Sequence, residues 1–285
     1  MSGKTKISWA EKTWNPTLGC QLAGAGCTNC YAMWVGAKIA QGDGAVARAY
    51  ASVIKHVNGK PVWNGKTVVM PDEILEAPLR WQKPAIVFVD SMADLFYEEL
   101  ATADIERVLD VMARAPHHLF LVLTKRPTRM RALVEAWMAK RGIAGPLDNI
   151  GLGASAWNQA SLESAGAEVS RMPTRVRFLS AEPMLGPMRL NAVAPVDQII
   201  CGGESISPEQ RAMGETARPF DLAWARDLRD DCAARGIMFH FKQCGQNPVG
   251  FVPSDPKGGA EADIPADLRV REMPDLPAPR QAALL

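Results

Sequence analysis

Residues 85–127 read AIVFVDSMADLFYEELATADIERVLDVMARAPHHLFLVLTKRP, and this stretch decides the architecture. It opens on a short, continuously apolar run (85–90), passes through apolar residues at helical spacing (103–115) and returns to a second apolar run (118–124). Runs of that length, rich in Val, Ile, Leu and Phe and lacking polar alternation, are strands covered on both faces, as in a parallel sheet. Strand, helix and strand in that order make a right-handed βαβ unit.

Outward from this unit the pattern repeats. NIGLGAS (149–155), RVRFLS (175–180), DQIICGG (197–203) and IMFHFK (237–242) are further buried strands, with helical patterns at 128–140 and 221–235. The second helix runs into Gly236, where a left-handed residue ends a helix. The expected fold class is α/β: a partial (β/α) TIM-like barrel of about six to seven parallel strands spanning residues 1–245.

A barrel is preferred to an open doubly wound sheet because of where the polar residues fall. Ser91 and Asp94, Thr124 and Lys125, Ser155 and Asn158, Ser180 and Glu182, Gly203 and Glu204, and Lys242 and Gln243 all stand at the C-terminal ends of the runs. Barrel enzymes assemble their sites from many such ends, whereas an open sheet gathers its ligand at one switch point. Capping or turn duty explains any single Ser, Thr or Asp among them. Residues 41–84, with the turns GDG, NGK and WNGK, form an insertion or lid behind a helix at 31–40. The Pro- and Gly-rich stretch 246–285 is a surface extension whose last residues are expected to be disordered.

Composition sets outer bounds. A chain of 285 residues with 47% hydrophobic content buries a large core. It has no apolar stretch of the roughly 18 residues that a membrane span needs, and its first residues lack the apolar region of a secretory signal. The expectation is a cytoplasmic protein without a membrane partner, whose six cysteines are not disulfide-bonded. A net charge of +1 excludes nucleic-acid binding driven by the whole-molecule field. Residues 1–60 nevertheless hold seven Lys and Arg against two acids, which makes either a local basic surface or a solvated charged face.

Three cysteines, Cys20, Cys27 and Cys30, stand in a C-x6-C-x2-C run within GCQLAGAGCTNCYA (19–32). A tetrahedral structural zinc or a closed iron–sulfur cluster takes four protein ligands, so three thiolates on one glycine-rich loop point to a [4Fe-4S] cluster with one iron open. A zinc completed by a distant Cys or His, and ordinary buried thiols, are the other readings. Cys201, within a strand, and Cys232, on a helix, read as small hydrophobes. His117, His118 and His240 have no metal-ligand spacing and read as packing residues. Lys125, Arg126, Arg129 and Arg131 begin a helix on the rim, where they would hold a phosphate or form a solvated face, and Trp157 would stack on a base or simply pack.

The strings WNPTLGC (14–20), GC (26–27), CYA (30–32), FVDSMADLF (88–96), LVLTKRP (121–127), RFLSAEPMLGP (177–187), IICGGES (199–205) and FHFKQCG (239–245) occur in that order over most of the chain. As a set they resemble the phage-borne three-Cys-motif family, radical-SAM-like proteins distantly similar to spore photoproduct lyases. The resemblance implies that the partial barrel is of radical-SAM type and carries a [4Fe-4S] cluster on Cys20, Cys27 and Cys30. It also implies S-adenosyl-L-methionine chelating the open iron, an external reductant such as flavodoxin or ferredoxin, and reductive cleavage to methionine and a 5′-deoxyadenosyl radical.

On the same resemblance Tyr31 would lie against the adenine, Ser91 and Asp94 would meet the amine, and Lys125, with Thr124 beside it, the carboxylate. Ser180 and Glu182 would take ribose hydroxyls. Gly202, Gly203 and Glu204 resemble an amine-binding GGE but come late in the chain, where they would face substrate instead. Cys244 stands where the family usually has Trp, which makes it a catalytic candidate as a hydrogen-atom donor. The implied substrate is a nucleobase, thymine-derived in its sharpest form, in DNA or as a nucleotide, with isomerase or lyase chemistry. The competing class is a non-enzymatic nucleic-acid or partner-binding protein with a structural zinc or Fe–S site.

Overall fold

Seven parallel strands follow one another around a curled half-barrel in the order in which the chain makes them. The computed structural model describes residues 3–278. Its strands are β1 (Gly3–Lys4), β2 (Lys12–Trp14), β3 (Thr17–Leu18), β4 (Ile54–Val57), β5 (Lys60–Trp63), β6 (Val68–Val69), β7 (Ile86–Val89), β8 (Leu119–Thr124), β9 (Ile150–Ala156), β10 (Arg177–Ala181), β11 (Gln198–Gly202) and β12 (Met238–Gln243). Its α-helices are α1 (Tyr31–Ala40), α2 (Ala45–Val53), α3 (Asp72–Leu75), α4 (Thr102–Arg114), α5 (Pro127–Arg141), α6 (Gln159–Val169), α7 (Pro208–Ala212) and α8 (Leu222–Arg235). β2 and β7 through β12 pair in parallel in sequence order, and β1 adds one antiparallel pairing beyond β2.

The α/β half-barrel with seven parallel strands agrees with the sequence expectation. The six quoted runs are β7 to β12, and the seventh strand, β2, is too short at three residues to carry a readable period. Gly142 and Gly236 end α5 and α8 in the left-handed conformation. The crossover from β10 to β11 carries no helix; Met188, Leu190 and Val193 cover the sheet there.

Side chains alternate across each strand, which sorts the residues into two faces. Val87 and Val89, Phe120 and Val122, and Ile150 and Leu152 pack outward with α4 and α5. Leu179, Ile199, Cys201, Phe239 and Phe241 pack outward with α6 and α8. The alternate positions Phe88, Leu121, Phe178 and Ile200 turn inward and, with Trp9, fill the lower lumen. β9 contributes glycines to that tier: a Cβ at Gly153 would lie 2.6 Å from the Phe178 ring, and one at Gly151 would lie 2.7 Å from Leu121.

The insertion forms α2, the β4–β5 hairpin, β6 and α3, and packs on α1 through Tyr50, Val53, Ile54 and Trp63. After Gly245 the described residues bury Ile264 and Leu268 in the outer core. The chain then lies against the free edge of β12: Phe241 N–H donates to Val270 O (2.8 Å) and Glu272 N–H to Phe239 O (3.1 Å). The expectation of disorder at the extreme C-terminus concerns residues outside those described.

Candidate functional site

Above the apolar tier the inward positions become polar, and a cavity of about 660 Å³ opens at the C-terminal ends of the strands. Ser91, Asp94, Thr124, Lys125, Ser155, Ser180, Glu182, Gly203, Glu204, Lys242 and Gln243 line it, together with all three loop cysteines. Residues dispersed over more than 200 positions therefore meet in one place. Asn158 is not among them; it caps α6, its side chain accepting from Ser161 N–H.

The cysteine loop is tied down at several points. Gly19 has φ 93° and pairs with Ala93, and a Cβ there would meet the backbone of Lys66. Gly24 and Gly26 lie against the Trp157 indole, where Cβ atoms would come within 2.5 and 3.0 Å of the ring. Trp157 thus packs beneath the loop and does not line the cavity, which leaves it the packing role of the two considered for it. Across the mouth, Arg218 Nη1 donates to Ala25 O (2.9 Å) and Asn29 Nδ2 to Glu204 (2.9 Å).

Cys20, Cys27 and Cys30 face this cavity from their shared loop. Burial pushes the Cys20 thiol up to about 12; the Asp94 charge adds to that and Arg126 opposes it. Burial also raises the Cys30 thiol, against the Lys125 ammonium. Thiols so placed ionise when a cationic centre replaces the lost hydration, as metal ligands do. Among the described residues no group of three or more His, Cys, Asp and Glu is gathered closely enough to hold a single metal ion. A four-iron cube takes each thiolate at a different iron and does not require them to converge on one point. No fourth Cys and no His lines the cavity among the described residues, so the donor set suits an incompletely ligated cluster better than a closed zinc.

Several candidates prove to be structural. Asp94 accepts from Phe96 N (3.0 Å), Thr124 Oγ1 (2.6 Å), Lys125 N (3.0 Å) and Arg126 Nη1 (2.9 Å), which fills its lone pairs. It latches the end of β8 and has no acceptor left for an amine, and the Thr124 hydroxyl is consumed by the same latch. Glu204 is buried beneath Arg218 in a bidentate ion pair and also accepts from Arg218 N–H and Asn29. Burial alone would raise its carboxyl, but the Arg218 hydrogen bonds outweigh this and hold it below the ordinary range. Glu204 therefore clamps the loop and does not meet a ligand amine. The adjacent glycines serve close approach: a Cβ at Gly203 would sit 2.4 Å from Cys244 O, and one at Gly202 would sit 2.9 Å from Glu182 Oε1.

Cys244 is not on the cavity. Its side chain is fully buried in the outer core, its Sγ donates to Asp263 O (3.4 Å), and burial pushes its thiol up to about 11. A hydrogen-atom donor has to reach the reacting carbon, so the catalytic role considered for Cys244 is corrected to packing. Ser91 and Tyr31 do stand at the mouth. Ser91 Oγ donates to Asn15 Oδ1 (3.0 Å), and the Tyr31 hydroxyl donates to Ser91 O (3.0 Å) with the ring 42% exposed beside the cysteines.

The remaining polar side chains form an inner arc. Lys125 Nζ stands 3.5 Å from Ser155 Oγ, Ser180 Oγ stands 3.5 Å from Glu182, and Lys242 Nζ pairs with Glu182 at 2.8 Å. Arg126 is paired with Asp94 and Glu98, Arg129 with Leu100 O, and Arg131 with Glu135 and Glu168, so the helix start is no open phosphate cradle. One buried carboxylate escaped the sequence reading. Asp90 ends β7 at φ 56°, accepts from Thr17 N (3.1 Å) and Oγ1 (2.8 Å), and so fixes the chain just before the cysteine loop. Its only signal was a charge closing an otherwise apolar run.

Among the described residues no helix is long and apolar enough to cross a membrane. No curated protein and no solved structure matches the chain. The sequence model of one family, described as "Protein of unknown function (DUF5131)", matches residues 4–263, most of the half-barrel and part of the extension, and the chain belongs to that family.

Proposed function

We propose that the chain is a radical S-adenosylmethionine enzyme whose [4Fe-4S] cluster is held by Cys20, Cys27 and Cys30 and whose substrate is nucleobase-like. The observation that carries this reading is the opening of three thiols, without a fourth Cys or His among the described residues, onto a cavity lined by the ends of the barrel strands. When bound, the cluster and S-adenosylmethionine would together supply a 5′-deoxyadenosyl radical, given one electron from a flavodoxin- or ferredoxin-like donor.

The chain's own residues have definable parts in this. Trp157, Arg218 and Glu204 hold the loop so that its thiols face the lumen. Tyr31 and Ser91 offer a ring face and a carbonyl edge at the mouth for an adenine. Lys125 presents an ammonium near Cys30 with donors left for a ligand acceptor. The apolar tier under the cavity excludes water from below.

Anaerobic purification and reduction with dithionite in the presence of S-adenosylmethionine test the reading. The expected result is about four irons and sulfides per chain and release of 5′-deoxyadenosine. Cys27→Ala is expected to abolish the iron–sulfur absorbance while leaving the far-ultraviolet circular dichroism of the barrel intact, because the ligands lie outside the strands. Stoichiometric zinc without 5′-deoxyadenosine would replace this reading with that of a binding protein built on a structural metal.

A further inference from the structure

The inner arc has a hydrogen-bonding polarity of its own. Ser155 of β9 and Ser180 of β10 are register partners, with Lys125 beyond the first and Glu182 above the second, while Lys242 comes from β12. Among the described residues Lys125 has no carboxylate within 4.0 Å and meets only Ser155 Oγ at 3.5 Å, so its ammonium keeps donors free for a ligand.

Glu182 is the complementary case. A carboxylate offers about four acceptor sites. Glu182 receives Lys242 at 2.8 Å on one oxygen and only the Ser180 hydroxyl, at 3.5 Å, on the other. Asp94 and Glu204, by contrast, are saturated. Space for the Glu182 carboxylate is made by Gly202, whose missing Cβ would otherwise lie 2.9 Å from Oε1. From β8 to β12 the arc therefore reads donor, acceptor, donor: Lys125 with Ser155, then Glu182, then Lys242.

We infer that this arc is the specificity-determining surface for a planar cyclic imide, a ring edge carrying carbonyl, N–H and carbonyl side by side, as in thymine and uracil. This rests on the proposed nucleobase substrate and assigns the edge that is read. Lys125 and Ser155 donate to one carbonyl, Glu182 accepts from the ring N–H, and Lys242 donates to the other carbonyl while holding the Glu182 carboxylate in place. Phe88 and Leu123, on the same cavity, supply apolar surface for the ring. Cytosine and adenine would oppose an amino donor to Lys125, and guanine would oppose one to Lys242. Each mismatch leaves buried polar groups unpaired, which rejects the wrong ligand more strongly than loss of shape does.

The test is equilibrium binding to the anaerobically purified full chain of thymidine, N3-methylthymidine and 2′-deoxycytidine. Each is offered as a nucleoside and as the central residue of a short single-stranded oligonucleotide. Thymidine probes are expected to bind about tenfold or more tightly than both others, the loss attending one unmatched charged hydrogen bond. Glu182→Gln, whose amide NH₂ turns toward the ligand when Lys242 holds its oxygen, is expected to cancel the preference for thymidine over deoxycytidine. Lys242→Met provides a second variant, expected to weaken thymidine about tenfold without changing the thermal midpoint by more than a few degrees.

Equal binding of N3-methylthymidine and thymidine, an unchanged preference in Glu182→Gln, or no binding of any probe at about 10 mM would each overturn the inference. Binding requires neither cleavage nor turnover, so a failure to form 5′-deoxyadenosine would leave this result standing. Radical chemistry on a purine would instead sink the imide assignment and spare the proposed function.

Discussion

At the scale of single residues, Asp90 shows how much a left-handed backbone and one carboxylate can organise. Burial, only partly offset by the Thr17 hydrogen bonds, pushes its carboxyl up to about 7. Between the ordinary carboxylate value near pH 4 and about pH 7 the folded state holds a proton that the unfolded state has released. Stability contributed by this group is thus present at low pH and lost as the pH rises through that window. Asn tolerates the same conformation and removes the titration. The stability difference between wild type and Asp90→Asn, from urea midpoints between about pH 4 and about pH 8, is expected to slope against the wild type as the pH climbs. Asp90→Ala loses the Thr17 bonds in a conformation that Ala disfavours, and is expected to cost about 2 kcal/mol near pH 4 and less as the pH climbs. His240 works in the opposite sense. Burial, then Arg271 and Lys242, lower its imidazole to about 4, so falling pH destabilises through it, and the Asp90 slope has to be read as a difference between proteins.

At the scale of elements, the cysteine loop is shaped by what lies under it. Gly24→Ala would place a methyl group inside the Trp157 ring and is expected to displace the loop, seen as faster proteolysis at residues 21–29 with a loss of about 1–3 kcal/mol. Trp157→Ala opens a hole beneath the glycines, and combining it with Gly24→Ala is expected to recover part of the loss, since the two changes compensate in volume. Arg218→Ala is expected to free the loop from β11 by another route. It strands the buried Glu204 without its cation, an effect of about 3 kcal/mol that shows as faster amide exchange at residues 25–29. Such contacts were not legible in the chain. Glycines at 24 and 26 read as freedom for a loop to curl, and only the fold brings Trp157 to them. The strands β7 to β12 and α4, in contrast, are written in local periodicity, because a parallel strand needs a continuous apolar run and a helix needs its stripe, here Ile105, Val108, Leu109 and Met112.

For the whole molecule, the sequence carried the barrel and the common rim because strand ends alternate predictably with helices. It did not carry which rim residues are spent on structure. Asp94 and Glu204 look like ligand groups in the primary sequence, and become a latch and a clamp once Arg126 and Arg218 arrive from 32 and 14 positions away. Cys244 looked reactive for its place in a motif, whereas the alternation of β12 breaks at its end, where Lys242 and Gln243 both line the cavity and Cys244 turns outward into the core. The extension matters at this scale. Removing residues 264–285 would strip Ile264 and Leu268 from the outer core and uncover the β12 edge, and is expected to yield aggregates by light scattering instead of a trimmed monomer.

Trp9, near the beginning of the chain, shares the lower lumen with Met273, and Ser8 hydrogen-bonds to His240 of the last strand (2.9 Å). On a ribosome, then, the segment that carries Trp9 waits for Met273: an emerging polypeptide can assemble consecutive βα units as they appear, but the floor on which they rest is finished only after the last of those units has emerged.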